Sequence, residues 1–282
     1  MKVLRFILLT LLAYSTFTEA SQAQVAIRKL RVLIYTRSDS LTHEGKKAFI
    51  HDNIASCAQA VTDLGKLHGF YTYTTNNPAV FTDKELSGYD IVFFASTNND
   101  AFSTDAQRLS FRRFVEAGGG VVGMHSVMGT ERAWRWFKNM LGGTFAWHAP
   151  NQVYRIRNIR PDHPSMQGVP AVWEKKDECY FAKELYPGIE VLMAHELASL
   201  DGKQAADVQK WAGHYLELYP AVWYHAYDGG HIWISQLGHD IANYTDPTFV
   251  NHIWQGIRFI ASKVKKNPAS TYATDKDAPL TF

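Results

Sequence analysis

The sequence predicts an α/β protein built on a single doubly wound, mainly parallel sheet with helices on both of its faces. Three observations lead to this fold class. Short apolar runs rich in β-branched residues alternate with longer amphipathic stretches, several of these runs end directly in polar loops, and no repeat or flexible linker divides the chain. The 282 residues, 46% of them hydrophobic, are enough for one domain with a large core.

Composition excludes several classes of function. Lysine and arginine number 29 against 27 aspartate and glutamate, and the formal net charge is +2. Nucleic-acid binding favours basic residues concentrated on one face, so no nucleic-acid partner is predicted. The 13% aromatic content is typical of a folded chain, and two cysteines cannot form a disulfide scaffold. Twelve histidines and eight tryptophans favour a protein with a polar site or pocket.

Residues 1–23 have the pattern of a secretory signal peptide. A positively charged start precedes a short apolar run from Phe6 to Ala13, and the small residues Ser21 and Ala23 occupy the positions that a signal peptidase recognises. The apolar run is too short to span a bilayer, and no later segment has about 20 consecutive apolar residues. The sequence therefore predicts a periplasmic or secreted protein without stable membrane insertion.

Strand and helix patterns alternate in the first half of the mature chain. Residues 31–35 form an apolar, β-branched run, and apolar residues at spacings of four and three then predict a helix over 44–68. Cys57 lies on the apolar stripe of that helix, which predicts a buried thiol, although export would leave oxidation of Cys57 and Cys179 open. Further predicted elements are strands at 71–75, 90–97 and 121–124 and a helix at 104–117.

The second half of the chain is richer in strands. Ala226-Tyr227-Asp228-Gly229-Gly230 is typical of a hairpin turn and predicts an extra β-hairpin in the C-terminal half. An amphipathic helix over 249–264 closes one α/β domain of residues 24–264, and residues 265–282 are expected to form a loosely held tail. The predicted strands of this half are 153–159, 189–195, 221–225 and 231–236.

Polar residues at the ends of the predicted strands form the candidate site. Ligands of open α/β sheets bind outside the carboxyl ends of the strands, where the loops converge. His125 follows the fourth strand directly, as in a nucleophile elbow. Because an imidazole cannot perform the acyl-enzyme chemistry of Cys or Ser there, we expect His125 to exchange a proton or to bind a metal. The other candidates are His43, Glu44, Asn98, Asn99, His148, Glu178 and His239.

Adjacent residues and neighbouring aromatics narrow these candidates. Asp177 and Glu178 point to opposite sides of an extended segment, so only one enters the cleft, and we predict that it is Glu178. Trp147, beside His148, is expected to stack on a sugar ring. The opposite interpretation, in which the histidines are satisfied by backbone groups and the acids form a solvated turn, stays open. Seven other histidines are interpreted as surface or packing residues: His51, His68, His195, His214, His225, His231 and His252.

Seven short motifs follow one another over about residues 30–262: His43-Glu44, residues 118–125, residues 141–148, His163-Pro164, Asp177-Glu178-Cys179-Tyr180, Pro220-Ala221-Val222-Trp223 and Leu237-Gly238-His239. In this order they resemble the ThuA-like trehalose-utilisation family. The resemblance implies a flavodoxin-like fold, similar to the class I glutamine amidotransferase domain, in which His125 replaces the usual catalytic cysteine. It also implies a link to disaccharides and their 3-keto derivatives. The loop before His43 lacks the aromatic residues common in the family, which leaves the substrate open.

The first functional hypothesis is an exported hydrolase or lyase that acts on a disaccharide or 3-keto-sugar by acid–base chemistry. His125 or His239 would be the base and Glu178 the partner acid. A divalent metal, zinc or another first-row ion, is left open, since a mixed His and carboxylate shell suits it, and no nucleotide cofactor is predicted. The metal would bind His125, His148 and His239, and the substrate would bind His43, Glu44, Asn98, Asn99, Trp147 and Tyr180.

Two alternatives come from other classes of protein. The second hypothesis is a sugar-binding or accessory module without turnover, in which histidines hydrogen-bond to hydroxyl groups. The third is an amidase-like hydrolase with Ser126 as nucleophile. For the first two, a small-molecule carbohydrate is the expected partner, and a homodimer is left open.

Overall fold

The computed structural model describes residues 30–41 and 45–280. The predicted signal peptide, residues 1–23, and the predicted site residues His43 and Glu44 lie outside the described residues. Within the described ranges, no helix is long and apolar enough to cross a membrane. Both cysteines are buried free thiols, as expected for Cys57.

Nine strands form one sheet in the order β2-β1-β3-β4-β9-β8-β7-β5-β6. The strands are β1 (Arg31–Tyr35), β2 (Tyr71–Thr75), β3 (Ile91–Phe94), β4 (Gly120–Met124), β5 (Phe145–Asn158), β6 (Val172–Ala182), β7 (Glu190–Glu196), β8 (Leu218–Tyr227) and β9 (Gly230–Ser235). The helices are α1 (Ile54–His68), α2 (Asp83–Leu86), α3 (Asp105–Glu116), α4 (Arg135–Leu141), α5 (Ala205–Ala212) and α6 (Pro247–Lys263).

The sheet is mixed, which corrects the prediction of a mainly parallel, doubly wound sheet. The pairs from β2 to β9 are parallel, whereas the pairs from β9 through β8, β7 and β5 to β6 are antiparallel. Antiparallel neighbours need no crossover helix, and β5–β6 and β8–β9 follow one another without one. Hydrophobic periodicity indicates which face of a strand is buried but not the direction of the strand. The sequence pattern therefore did not predict the antiparallel pairing from β8 through β7 and β5 to β6. The hairpin predicted with its turn at residues 226–230 is confirmed between β8 and β9, with Asp228 and Gly229 between the two strands.

Two hydrophobic clusters cover opposite faces of the sheet. In β1, Val32 and Ile34 pack with α1 and α6, whereas Leu33 and Tyr35 pack with α3 and α4. This alternation follows from the strand period of two. Helices therefore cover both faces, as the sequence predicted.

The first helix begins later than predicted. Ile50 fits the apolar spacing of the helix, but its side chain is 47% exposed and α1 starts at Ile54. Residues 45–53 therefore belong to the loop between β1 and α1, and this loop reaches the carboxyl end of the sheet. The later start places His51 in a loop instead of on a helix.

The C-terminal segment is not a loosely held tail over its described part, residues 265–280. The carboxylate of Glu116, at the end of α3, accepts hydrogen bonds from the backbone N–H groups of Tyr272 and Ala273. Asn267 N–H donates to the Ala117 carbonyl, and Leu280 is buried. A buried acceptor and an apolar anchor thus fix a segment whose polar composition suggested weak attachment.

A buried histidine on α6 predicts that the protein becomes less stable as the pH is lowered. His252 is fully buried, its Nε2 contacts the Ser235 hydroxyl at 3.0 Å, and burial together with Lys175 lowers its pKa to about 3. The unfolded chain takes up this proton near pH 6.5 and the folded chain does not, so the free energy of unfolding decreases as the pH falls below about 6.5. One such group contributes about 2 kcal/mol between pH 6.5 and pH 5.

Urea unfolding at pH 7.5 and pH 5 measures this loss. We expect the neutral variant His252→Gln to lose about 2 kcal/mol less than the wild type over that interval. His214→Gln, at an exposed histidine, is the matched control and should follow the wild type. An equal loss in wild type and His252→Gln would contradict the prediction.

Candidate functional site

A cavity of about 490 Å³ opens at the carboxyl ends of the parallel strands. Its volume lies in the range of sites for small organic ligands. The loop after β1, the residues after β3 and β4, and side chains of β5 and β6 form its wall. The lining residues are Lys47, Ala48, Phe49, His51, Asn98, Asn99, Ser126, Gly129, Arg132, Phe145, His148, Glu178 and Tyr180.

His125 sits at the corner where β4 turns into a short 3-10 helix, His125–Gly129. Its φ of 46° is unusual for a residue with a side chain, as in the strained elbow that the sequence predicted. Its Nδ1 donates to the Gln236 carbonyl at 3.0 Å, so the other ring nitrogen, Nε2, carries the free lone pair. Nε2 lies 3.1 Å from the Tyr180 hydroxyl and 3.7 Å from a carboxylate oxygen of Glu178.

Glu178 lies at the centre of the predicted histidines. One carboxylate oxygen is 3.1 Å from His239 Nδ1, and the other is 3.3 Å from His148 Nδ1. The structure therefore places His125, His148 and His239 around one acid.

Asp177 points away from the cavity and holds the loop that carries His239. Its two oxygens accept hydrogen bonds from the backbone N–H groups of Gly238, at 2.8 Å, and His239, at 3.0 Å. The side chain is fully buried and forms an ion pair with Lys175. Of these two adjacent residues on β6, Glu178 faces the cavity, whereas Asp177 points away from it and fixes the loop that carries His239.

His51 joins the site, contrary to its interpretation as a surface or packing residue. Its ring centre lies 4.8 Å from that of His125, and its Nε2 is 3.2 Å from the Tyr180 hydroxyl. Sequence analysis missed His51 because it placed this residue inside the predicted helix over 44–68. Asn53, a residue type favoured at helix N-caps, was the available signal that the helix starts at residue 54 and leaves His51 in the loop.

His51, His125, Glu178 and His239, hereafter the His–Glu cluster, form a potential metal site. Each offers one ligand atom, and these four atoms lie within 4.8 Å of one another. Burial lowers the pKa of His51 to about 3 and of His125 to about 4, so both rings are neutral at pH 7 and keep lone pairs for a metal. The hydrogen bond that the His239 ring donates to the Glu178 carboxylate raises the pKa of His239. Three imidazoles and one carboxylate are a donor set that suits zinc and similar first-row ions.

Some of the predicted substrate-binding residues line the cavity in the structure, and one does not. Asn98, Asn99 and Tyr180 line the cavity. Both asparagine amides donate to the Phe49 carbonyl, which ties the loop after β1 to the residues after β3. Trp147 instead packs on Phe181 with ring centres 5.6 Å apart and is not among the residues that line the cavity.

A register shift in β5 explains the position of Trp147. In a regular strand, residues 145 and 147 share a face, but the pairing with β6 shifts between Phe145 and Trp147. Phe145 and His148 consequently face the cavity, and Trp147 turns to the other side. Besides Tyr180, the cavity is lined by the rings of Phe145 and the 65% exposed Phe49, two residues that sequence reasoning did not select.

Comparison with protein-family models identifies the family of this chain. The family model described as ThuA, trehalose utilisation, matches residues 31–260. This chain belongs to the ThuA family. Membership connects it to carbohydrate metabolism, as the order of its motifs indicated. Among curated proteins, none matches the sequence.

Solved structures share the ThuA fold at low sequence identity. A ThuA-like protein from Bacteroides uniformis is 23% identical, with a TM-score of 0.63 over 85% of this chain and 95% of that one. A ThuA-like protein from Parabacteroides merdae is 18% identical, with a TM-score of 0.63 over 84% and 92%. A β-galactosidase from Bacillus circulans sp. alkalophilus is 13% identical, with a TM-score of 0.51 over 84% of this chain and 32% of that one.

The elbow of this ThuA chain does not present an activated nucleophile. His125 occupies the corner, and the hydroxyl of the next residue, Ser126, donates to the Ser96 carbonyl at 2.6 Å. A nucleophilic serine needs its proton directed to a base, which in such sites is an imidazole. The geometry therefore disfavours the amidase hypothesis.

Proposed function

We propose that this protein is an exported, metal-dependent enzyme, a hydrolase or lyase that acts on a disaccharide or its 3-keto derivative. The observation that carries the proposal is the His–Glu cluster, whose four ligand atoms lie within 4.8 Å at the edge of a 490 Å³ cavity. Membership of the ThuA family supports a sugar as the substrate.

His51, His125, Glu178 and His239 would hold the ion. Imidazoles and carboxylates are the ligand types of catalytic zinc, whose sites use three protein ligands and keep one position open, so three of these four groups would suffice. The hydrogen bond to Gln236 fixes the orientation of His125. A bound divalent ion supplies positive charge that polarises a carbonyl oxygen or stabilises a developing oxyanion. This assignment replaces His148 by His51 and Glu178 in the predicted ligand set.

His148 is the residue best placed to move a proton at the substrate. It lines the cavity, and its Nδ1 donates to the Ala149 carbonyl at 3.1 Å and lies 3.3 Å from Glu178, which leaves Nε2 as the basic nitrogen. His125, one of the two bases expected from the sequence, is fully buried behind Tyr180, and His239, the other, is assigned to the ion. A base must reach the proton that it removes, so we assign this task to His148.

The chemistry of a 3-keto-sugar fits these groups. The keto group acidifies the neighbouring C–H bond, and His148 Nε2 would take that proton. The carbon–oxygen bond of the glycoside then breaks, its electron pair stays on the departing oxygen, and that oxygen receives a proton. Addition of water to the resulting double bond completes a net hydrolysis. Glu178 would stabilise the protonated His148 ring across the 3.3 Å contact.

Turnover and metal content together test the proposal. Protein purified without chelator should contain a stoichiometric divalent ion and should cleave a 3-keto-disaccharide faster than the unoxidised sugar. His148→Ala should lower kcat by about 100-fold or more with the metal retained, as is typical for loss of a general base. His214→Ala, at an exposed histidine, is the matched control. Turnover by a metal-free protein, or sugar binding without any turnover, would contradict the proposal, and the latter would favour the sugar-binding module.

A further inference from the structure

Arg132 is an exposed residue whose part-buried guanidinium lines the cavity that contains the proposed active site. Its Nε donates to the Gly129 carbonyl at 3.0 Å, and one Nη lies 3.4 Å from the side-chain oxygen of Asn98. The guanidinium carbon is 5.5 Å from the centre of the Phe145 ring. Over residues 30–41 and 45–280, no carboxylate lies within ion-pair distance of Arg132.

Gly129 creates the space that Arg132 occupies. A Cβ atom at this position would lie 2.7 Å from an Nη atom of Arg132 and 2.1 Å from the side-chain oxygen of Asn98. Any other residue would therefore displace the guanidinium or the amide. The backbone carbonyl, the amide and the aromatic ring together hold the guanidinium in one orientation, which lowers the entropy lost when a ligand binds.

The charges around the cavity favour a negatively charged ligand. Two cationic side chains, Arg132 and Lys47, line it, and the lining carboxylate, Glu178, is already close to three imidazoles. A guanidinium with free N–H groups binds a carboxylate or phosphate through two parallel hydrogen bonds. Neutral sugar hydroxyls do not require this charge.

We propose that Arg132 binds an acidic group of the substrate, a carboxylate or a phosphoryl group carried by the sugar. The ring of Phe145 is near both the Arg132 guanidinium carbon, at 5.5 Å, and the Tyr180 ring, with 4.8 Å between ring centres, and the Tyr180 hydroxyl lies 3.1 Å from His125 Nε2. The anion and the reacting part of the sugar thus bind on either side of these two rings. The inference rests on the proposed function, because it names the substrate class of the same cavity.

Equilibrium binding of simple sugars to the full-length, metal-loaded protein tests this assignment. The probes are glucuronate for a carboxylate, glucose 6-phosphate for a phosphate, and glucose as the neutral reference, measured by calorimetry at low ionic strength. We expect at least one anionic sugar to bind about 10-fold tighter than glucose, and Arg132→Gln to abolish that preference. Arg132→Lys should recover part of it, since it keeps the charge but not the planar donors.

Arg135→Gln is the matched control, because it removes the same charge from an exposed arginine nearby that does not line the cavity. A structural role for Arg132 would weaken the binding of all three sugars equally. Equal affinity of wild type for charged and neutral sugars, no binding of either anionic sugar, or a preference that survives in Arg132→Gln would overturn the proposal. Metal content and turnover of a neutral 3-keto-disaccharide are independent readouts of the proposed function, so the two failures are distinguishable.

Discussion

His125→Ala is expected to weaken zinc binding by about 100-fold or more, because it removes one ligand of the His–Glu cluster together with the hydrogen bond that orients it. Competition with a chelating dye at pH 7.5 measures the affinity. His239→Ala should have a comparable effect and opens less of the core, since 24% of its side chain is exposed. His214→Ala is the control for loss of a histidine outside the cluster.

The same variants separate an enzyme from a binding module. In an enzyme, His125→Ala removes the rate while the residues of the cavity wall retain most of the sugar affinity. A binding module has no rate to lose. Unchanged zinc affinity in both His125→Ala and His239→Ala, with both variants folded, would refute the metal site. In the wild type, added zinc should also raise the thermal unfolding temperature, and this shift should disappear in the variants.

Asp177→Ala should destabilise the fold by about 3–5 kcal/mol. Burial by itself would raise the pKa of Asp177, but the Lys175 ammonium and the hydrogen-bonded groups around it lower the pKa, so the buried carboxylate is charged. Removing it leaves the largely buried Lys175 unpaired and frees the N–H groups of Gly238 and His239. Urea unfolding at pH 7.5 measures the loss.

Two further variants serve as controls for the stability loss expected in Asp177→Ala. Asp177→Asn keeps an acceptor but not the charge, so its stability should lie between those of the wild type and Asp177→Ala. Asp162→Ala, at a carboxylate with 80% side-chain exposure, should change stability by less than about 0.5 kcal/mol. A loss of less than about 1 kcal/mol in Asp177→Ala would contradict the structural role assigned to this carboxylate.

Local patterns were sufficient to predict much of the chain. The strands β1, β2 and β4 and the helix α3 lie where periodicity and capping placed them, since each depends on residues close in sequence. Tertiary contacts decided the remaining features. The segment after residue 264 is fixed by Glu116, far away in sequence, and the pairing of β5 with β6 contains shifts that no single strand encodes.

The sequence by itself determined that His125 and His239 lie just beyond the ends of strands, because the change from apolar to polar residues marks where each strand leaves the core. Glu178, which was also expected at a strand end, lies within β6. Only the tertiary structure decided which other side chains complete the site. His51 enters because α1 starts at residue 54, Trp147 is excluded because β5 shifts register, and Arg132 faces the cavity because Gly129 leaves room for it. These outcomes depend on how distant segments pack, whereas strand ends depend on local hydrophobicity alone.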